Sequence, residues 1–231
     1  MTQPVIQFDN LTGGYGRIPI VREVSGAIQE GQCLCVLGRN GVGKSTLIKL
    51  LSGHLPVMSG DIHILGKSAR NLPPEQRWAL GMSVGLQERP VFDGLTVGDN
   101  LSLMQADRSL AGFETYFEAF PVLKSRLGQL AGTLSGGERK ILSFVRAMKD
   151  ATALTLLDEP SEGVQPENID RMSSFIRQAK SEGRSFLVVE QHLHMAEDIA
   201  DAYQVLDNGQ IVLEGAAKDL PRSVLEEQIA I

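Results

Sequence analysis

Apolar positions along this chain follow two periods in alternation, which predicts an α/β protein. Residues 5–11, 24–28 and 60–65 are short alternating or β-branched stretches bounded by Gly, Pro and Asn, the pattern of antiparallel strands. Residues 32–37, 82–86, 153–157 and 185–189 are short apolar runs of the kind that form buried strands. Helical spacing follows at 47–51, closed by Gly53; Pro166 begins a helix to about 182, and another starts near 193. Pro73-Pro74-Glu75 marks a further helix start, with Leu72 before it and Trp78 and Leu80 on one face. Over 88–148 the pattern turns helical. Thr96 is placed to cap 97–104, and 113–123 sets Phe113, Tyr116, Phe117 and Phe120 at helical spacing, a stripe suited to a core or a docking groove. Asn208-Gly209, between 205–206 and 211–213, predicts a tight hairpin. Gly13-Gly14-Tyr15-Gly16 reads as a flexible turn carrying one aromatic ring. The expected organisation is a single domain: 1–87 and 151–231 form a core with a flanking antiparallel β-subdomain, and 88–150 an inserted α-helical subdomain.

One stretch carries specific chemistry. Gly38-Arg39-Asn40-Gly41-Val42-Gly43-Lys44-Ser45-Thr46 fits the phosphate-binding pattern G-x-x-x-x-G-K-[ST] with nothing missing. Glycines at 38, 41 and 43 let backbone N–H groups curl around a triphosphate, and the helix beginning near Lys44 adds its N-terminal amides and positive dipole end. Lys44 supplies a mobile charge for the β- and γ-phosphates; the Ser45 hydroxyl is placed to ligate Mg²⁺, with Thr46 beside it. Strand, loop and helix come in the required order, so the core is expected to be that of a P-loop NTPase taking ATP and Mg²⁺.

Two further segments bear on that chemistry. Asp158-Glu159 closes an apolar run and so puts two carboxylates at the carboxyl end of a buried strand, where open α/β sheets bind ligands. Asp158 can hold Mg²⁺ with Ser45, and Glu159 is the natural candidate to orient or deprotonate an attacking water. Without the loop upstream, such a pair would only stabilise a turn. Leu134-Ser135-Gly136-Gly137-Glu138 opens a helix and makes a second serine- and glycine-lined N-terminus suited to an anion. One phosphate loop already satisfies one nucleotide, so this second site is expected to serve a nucleotide held by another chain.

Composition narrows the classes. The chain has 231 residues, 42% of them hydrophobic, and a mean hydropathy of -0.04, enough to bury a sizeable core. A net charge of -6 argues against nucleic-acid binding, and no nucleic-acid partner is expected. No apolar run nears the roughly 20 residues of a membrane helix. The opening residues lack the basic and apolar regions of a signal peptide, so the chain is expected to stay in the cytoplasm. Cys33 and Cys35 alternate along the strand before the loop; they are expected on opposite faces, with no metal or redox role.

Taken in order, Tyr15, GRNGVGKST, Gln87, LSGGE at 134–138 and LTLLDEP at 154–160 resemble the nucleotide-binding subunit of an ABC transporter over essentially the whole chain. The resemblance implies two subunits joined head to tail, with ATP between the phosphate loop of one and the signature of the other. Ser135, Gly136 and Gly137 would then contact the γ-phosphate in trans, Tyr15 would stack on the adenine, and Gln87 would sense Mg²⁺ and the attacking water. Ile141 stands where the family's signature helix often has Arg, Glu138 replaces the usual Gln, and the sequence stops soon after the Asn208-Gly209 hairpin. These features are similar to the shorter ATPase of branched-chain amino acid type importers. RNGVGK together with Ser161-Glu162-Gly163-Val164-Gln165-Pro166 is most similar to the branch assigned to urea and short amides.

Two departures stand out. Gln165 replaces the usual Asp of the loop after Glu159, and Gln191 occupies the position of the switch histidine, with His192 one residue late as a helix-start residue and His194 exposed on the same helix. Gln191 can donate a hydrogen bond to a γ-phosphate, but it carries no charge. The expected function is an ATPase that drives import through two transmembrane permease subunits fed by a periplasmic binding protein. It would pair with a second ATPase subunit, itself or a paralogue, at the cytoplasmic face of the inner membrane. The alternatives are a soluble ABC-type ATPase, a non-hydrolysing regulatory subunit and, within transport, an exporter ATPase.

Overall fold

A computed structural model of the protein describes residues 3–88, 90–103, 105, 108–150 and 152–230. The strands in chain order are β1 (Ile6–Tyr15), β2 (Ile18–Ile28), β3 (Cys33–Leu37), β4 (Val57–Ile64), β5 (Lys67–Ser68), β6 (Met82–Gly85), β7 (Leu154–Asp158), β8 (Ser185–Glu190), β9 (Ala202–Asp207) and β10 (Gln210–Ala216). The helices are α1 (Lys44–Leu51), α2 (Pro74–Ala79), α3 (Val97–Ser102), α4 (Glu114–Ala119), α5 (Pro121–Ser125), α6 (Gly136–Lys149), α7 (Pro166–Ser181), α8 (Leu193–Ile199) and α9 (Arg222–Ala230). An antiparallel sheet runs β2-β1-β4-β5, and a six-stranded sheet runs β10-β9-β3-β8-β7-β6.

Within the larger sheet, β3, β6, β7, β8 and β9 are parallel, and β10 returns antiparallel on β9. Their register aligns the carboxyl ends: Leu37 faces Glu190, Val189 faces Asp158, and Leu157 faces Gly85. The phosphate loop, Glu190-Gln191, Asp158-Glu159 and Gln87 therefore leave the sheet along one edge, where parallel sheets place their ligands.

Strand β3 is buried throughout and sits between two cores. Cys33, Cys35 and Leu37 face one, with Phe144, Leu157, Met172 and Val188; Leu34 and Val36 face the other, with Phe8, Leu47, Leu50 and Ile62. The expected placement of the two cysteines on opposite faces is therefore wrong. Side chains alternate with a period of two, so residues two apart share a face, and the two Sγ atoms lie 3.8 Å apart. Both thiols are free and buried, and burial pushes that of Cys35 well up.

Gly13-Gly14-Tyr15 is not a turn either. It continues β1, and β2 begins at Ile18, so only Gly16 and Arg17 turn the chain. A Cβ on Gly13 would meet Leu50 Cδ2 at 2.4 Å, and one on Gly14 would meet the Ile18 carbonyl at 2.2 Å. These glycines admit close neighbours rather than flexibility.

The predicted helix over 113–123 is broken in two. Phe120 adopts φ −123 and ψ 73, since Pro121 disfavours helical geometry in the residue before it. The aromatic stripe is core: Phe113 and Phe120 are buried, Phe120 meets Phe144 edge-on, and Tyr116 stacks on Phe175 of α7 with centroids 4.8 Å apart. Thr96 caps α3 as expected, but the helix ends at Ser102, and Met104 lies outside the described residues. In α2 the buried residue is Arg77, whereas Trp78 is 47% exposed and Leu80 falls just past the helix.

Arg77 caps the carboxyl end of α1. Its guanidinium donates to the carbonyls of Leu50 (2.7 Å), Leu51 (2.6 Å), Leu72 (2.8 Å) and Arg70 (3.0 Å). The last carbonyls of a helix have no partner within it and carry its negative dipole end, so a buried cation is stable there.

Candidate functional site

The loop after β3 reaches α1 through two left-handed glycines, Gly41 at φ 83 and Gly43 at φ 114. A Cβ on Gly38 would sit 2.4 Å from the Leu206 carbonyl, so the loop can pass β9 only with glycine there. α1 then presents its first backbone amides, unpaired within the helix, toward the loop. Lys44 Nζ is buried and donates to the carbonyls of Gly38 (2.8 Å) and Arg39 (2.9 Å), and it pairs with Glu159 Oε1 at 2.9 Å. All three ammonium protons are thereby engaged.

Ser45 Oγ donates to Asp158 Oδ1 at 3.0 Å and lies 3.4 Å from Gln87 Oε1. Gln87 Nε2 donates to Glu159 Oε2 and to Glu162 Oε2, each at 2.9 Å. An open cleft of about 430 Å³ is lined by Tyr15, Ile20, Asn40, Gly41, Gly43, Lys44, Ser45, Thr46, Gln87, Glu159 and Glu162. Gly38, Arg39 and Val42 shape the loop without lining the cleft, and Asp158 stands behind Ser45. The half-exposed Tyr15 ring forms one wall, and Lys49 Nζ lies 3.4 Å from its hydroxyl.

Electrostatics distinguish the carboxylates. Burial pushes Asp158 up to about 6, and the neighbouring Glu159 adds to this, while the Ser45 hydrogen bond and Lys140 oppose it. A cation beside Ser45 would reverse the shift. The three oxygens of Ser45, Asp158 and Gln87, with a single carboxylate among them, fit Mg²⁺, which prefers oxygen ligands and keeps phosphate and water in its shell.

Glu190 ends β8 and is buried. Its Oε1 accepts from the Ser161 N–H at 3.0 Å and its Oε2 from the Gln191 N–H at 3.3 Å, which fastens the loop after Glu159 to the end of β8. Burial is the first cause that pushes Glu190 up to about 7 from 4.5. The folded chain thus binds this proton more tightly than the unfolded one, so the group's contribution to stability is complete below pH 4.5 and is lost as pH rises through about 7. Glu190→Gln removes the titration while keeping an acceptor for Ser161. Between pH 5 and pH 8 the variant is expected to gain about 2 kcal/mol on the wild type, as read by urea unfolding. A difference independent of pH would contradict this.

A second cleft, of about 310 Å³, is lined by Val122, Ser135, Gly137, Glu138, Ile141, Gly163, Val164, Gln165 and Asn168. It does not share a lining residue with the first. Ser135 caps α6 in a capping box: its hydroxyl accepts from the Glu138 N–H at 3.3 Å, and Glu138 Oε2 accepts from the Ser135 N–H at 2.9 Å. Glu138 also pairs with Arg126. A glutamate at this place has a local structural reason.

Gln191 lines neither cleft; His192 is the exposed N-cap of α8, and His194 is exposed and bonds Asp170 at 2.9 Å. Sequence reasoning missed Ile20, Glu162, Lys140 and Glu190. Glu190 had a visible signal, since it ends an apolar run just as Asp158 does.

Residues 21–162 match the sequence profile of the ABC transporter family. The chain is 36% identical over 219 residues to the high-affinity branched-chain amino acid transport ATP-binding protein BraG of Pseudomonas aeruginosa, covering 92% of this chain and 94% of BraG. It is 32% identical over 215 residues to the probable branched-chain amino acid transport ATP-binding protein LivF of Archaeoglobus fulgidus, with 91% of each covered. Among solved structures, the ADP conformation of MJ1267, an ATP-binding cassette of an ABC transporter, superposes with a TM-score of 0.77 at 26% identity over 97% of this chain and 98% of that one. A nucleotide-free cassette from an ABC transporter gives a TM-score of 0.79 at 25% identity over 98% and 99%.

Proposed function

Since this chain belongs to the ABC transporter family of ATP-binding proteins, we propose that it is the ATPase subunit of an importer for branched-chain or other hydrophobic amino acids. The observation that carries the ATPase chemistry is the convergence of Lys44, Ser45, Gln87, Asp158 and Glu159 within hydrogen-bonding distance on one edge of the sheet. The choice of solute is supported by relatives named for branched-chain amino acid transport.

The loop amides and Lys44 bind the β- and γ-phosphates of ATP, and Tyr15 stacks on the adenine. Ser45, Asp158 and Gln87 would hold Mg²⁺, which would supply positive charge to the phosphates when bound. Lys44 has no donor to spare, so binding a phosphate exchanges its contact with Glu159. The freed carboxylate then orients and deprotonates the attacking water. Gln191, at the neighbouring strand end outside the cleft lining, is the candidate to donate a neutral hydrogen bond to the γ-phosphate.

Ser135, Gly136 and Gly137 serve the nucleotide of a second ATPase subunit, a reading supported by the separation of the two clefts. ATP closes the pair of subunits and hydrolysis releases them, which moves two permease subunits. Among the described residues no helix is long and apolar enough to cross a membrane; attachment at the cytoplasmic face comes through those permeases, and a periplasmic binding protein delivers the solute.

The test is transport by the complex that copurifies with this chain, reconstituted in vesicles. Inward, ATP-dependent uptake of leucine, isoleucine and valine is expected, and it should be lost in Lys44→Ala. Uptake of urea or acetamide without leucine would move the solute to the short-amide branch, as RNGVGK and SEGVQP suggest. Outward transport would overturn the importer reading.

A further inference from the structure

Glu159 is held in a left-handed backbone conformation, at φ 47, which is unfavourable for any residue with a β-carbon. Its N–H donates to the Val189 carbonyl at 2.9 Å, and its own carbonyl accepts from Lys140 Nζ at 2.7 Å. Lys140 belongs to α6, the helix that begins at Gly136 and Gly137. Its side chain is only 11% exposed, and its Nζ lies 3.5 Å from Glu162 Oε2. That oxygen also accepts from Gln87, whose amide spans Glu162 and Glu159. Lys140, Glu162, Gln87 and Glu159 thus close a ring, through the Glu159 backbone carbonyl on the Lys140 side, that joins α6, the end of β7 and the strand end at Gln87.

We propose that Lys140 is a positioning residue for hydrolysis. It holds the carbonyl of Glu159, and with it the direction of the carboxylate, and it ties the N-terminal end of α6 to the hydrolytic site of the same chain. A nucleotide of the second subunit that engages Ser135 to Gly137 thereby acts on Glu159 through Lys140. The two sites of the pair are linked within each chain. The inference rests on the reading of Glu159 as the residue that acts on water.

The test uses the assembled complex and measures kcat and the KM for ATP. Lys140→Met is expected to lower kcat at least tenfold while KM stays within twofold, because the residue does not line the nucleotide cleft. Lys140→Arg is expected to restore kcat to within threefold, since a guanidinium can donate to both the carbonyl and Glu162. Unchanged kcat in Lys140→Met, a proportionate rise in KM, or no rescue by Arg would overturn the proposal. If Lys140→Met does not fold, Glu162→Gln decides on kcat alone, since Glu162 lines the cleft: a severalfold fall in kcat supports the ring, and an unchanged kcat overturns it. Glu159→Gln separates the two readings. If that variant hydrolyses ATP like the wild type, the role of Glu159 fails whatever the Lys140 variants do.

Discussion

Glu159→Gln in the assembled complex is expected to lower ATP turnover by about 10²–10⁴-fold, the range lost with a general base, while ATP binding persists or tightens. Glutamine has the same shape and can keep a contact with Gln87, but it cannot accept the proton of a water. It also no longer competes for Lys44, which Glu159 contacts at 2.9 Å. Removing a negative charge from beside a triphosphate relieves repulsion in a partly buried cleft, where screening is weak. Bound ATP and a closed pair of subunits should therefore accumulate. Single-turnover hydrolysis read alongside size-exclusion chromatography with ATP checks both halves of the expectation. Retained full hydrolysis would show that another group serves as the base.

Arg77→Ala is expected to give the largest loss of stability among single substitutions away from the cleft. Burial lowers the guanidinium to about 10, so it remains charged at neutral pH, and its hydrogen-bond partners are all backbone carbonyls. Alanine would strip the guanidinium from all four carbonyls, leaving those of Leu51, Leu72 and Arg70 without that donor while Leu50 keeps the Gly53 N–H, and would open a cavity, at about 3–5 kcal/mol. At roughly 2–4 °C per kcal/mol for a chain of this size, the thermal midpoint should fall by about 6–20 °C. Arg77→Lys should recover only part, because an ammonium cannot reproduce a planar fork that reaches carbonyls on separate segments. The effect belongs to stability: Arg77 lies at the far end of α1 from Lys44, so folded variant should keep its affinity for ATP. Differential scanning calorimetry, with ATP binding measured below the transition, tests this. A loss under about 1 kcal/mol would contradict the capping role, since surface substitutions lie within that range.

Much of the site was legible because it depends on local spacing. GRNGVGKST specifies its own backbone, with Gly41 and Gly43 left-handed ahead of a helix. Asp158-Glu159 needed only an apolar run to place it at a strand end, and Ser135 with Glu138 spells a capping box three residues apart. The break at Phe120 was also legible, from the proline that follows it. The cysteines were legible and misread, since a period of two had already put Cys33 and Cys35 on one face.

Other features were not local. Gly13 and Gly14 look like a turn, but Leu50 and Ile18 are what exclude a side chain there. Arg77 looks like an ordinary charge on a surface helix; its partners on α1 stand 26 and 27 residues away. Lys140 gives no sign that its ammonium reaches Glu159, 19 residues further on.

The amino-acid sequence by itself determined the chemistry this protein carries, since phosphate binding and helix capping are set by residues adjacent in the chain, whose backbone geometry follows from their own types. Tertiary structure decided how those parts act together. Strand register brought Gln87, Asp158 and Glu190 to the edge beside the phosphate loop, and packing of α6 placed Ser135 and Gly137 on a separate cleft while sending Lys140 back to Glu159. The physical reason is that such contacts join residues far apart in the chain. They form only once the cores on both faces of the six-stranded sheet have fixed where each strand ends.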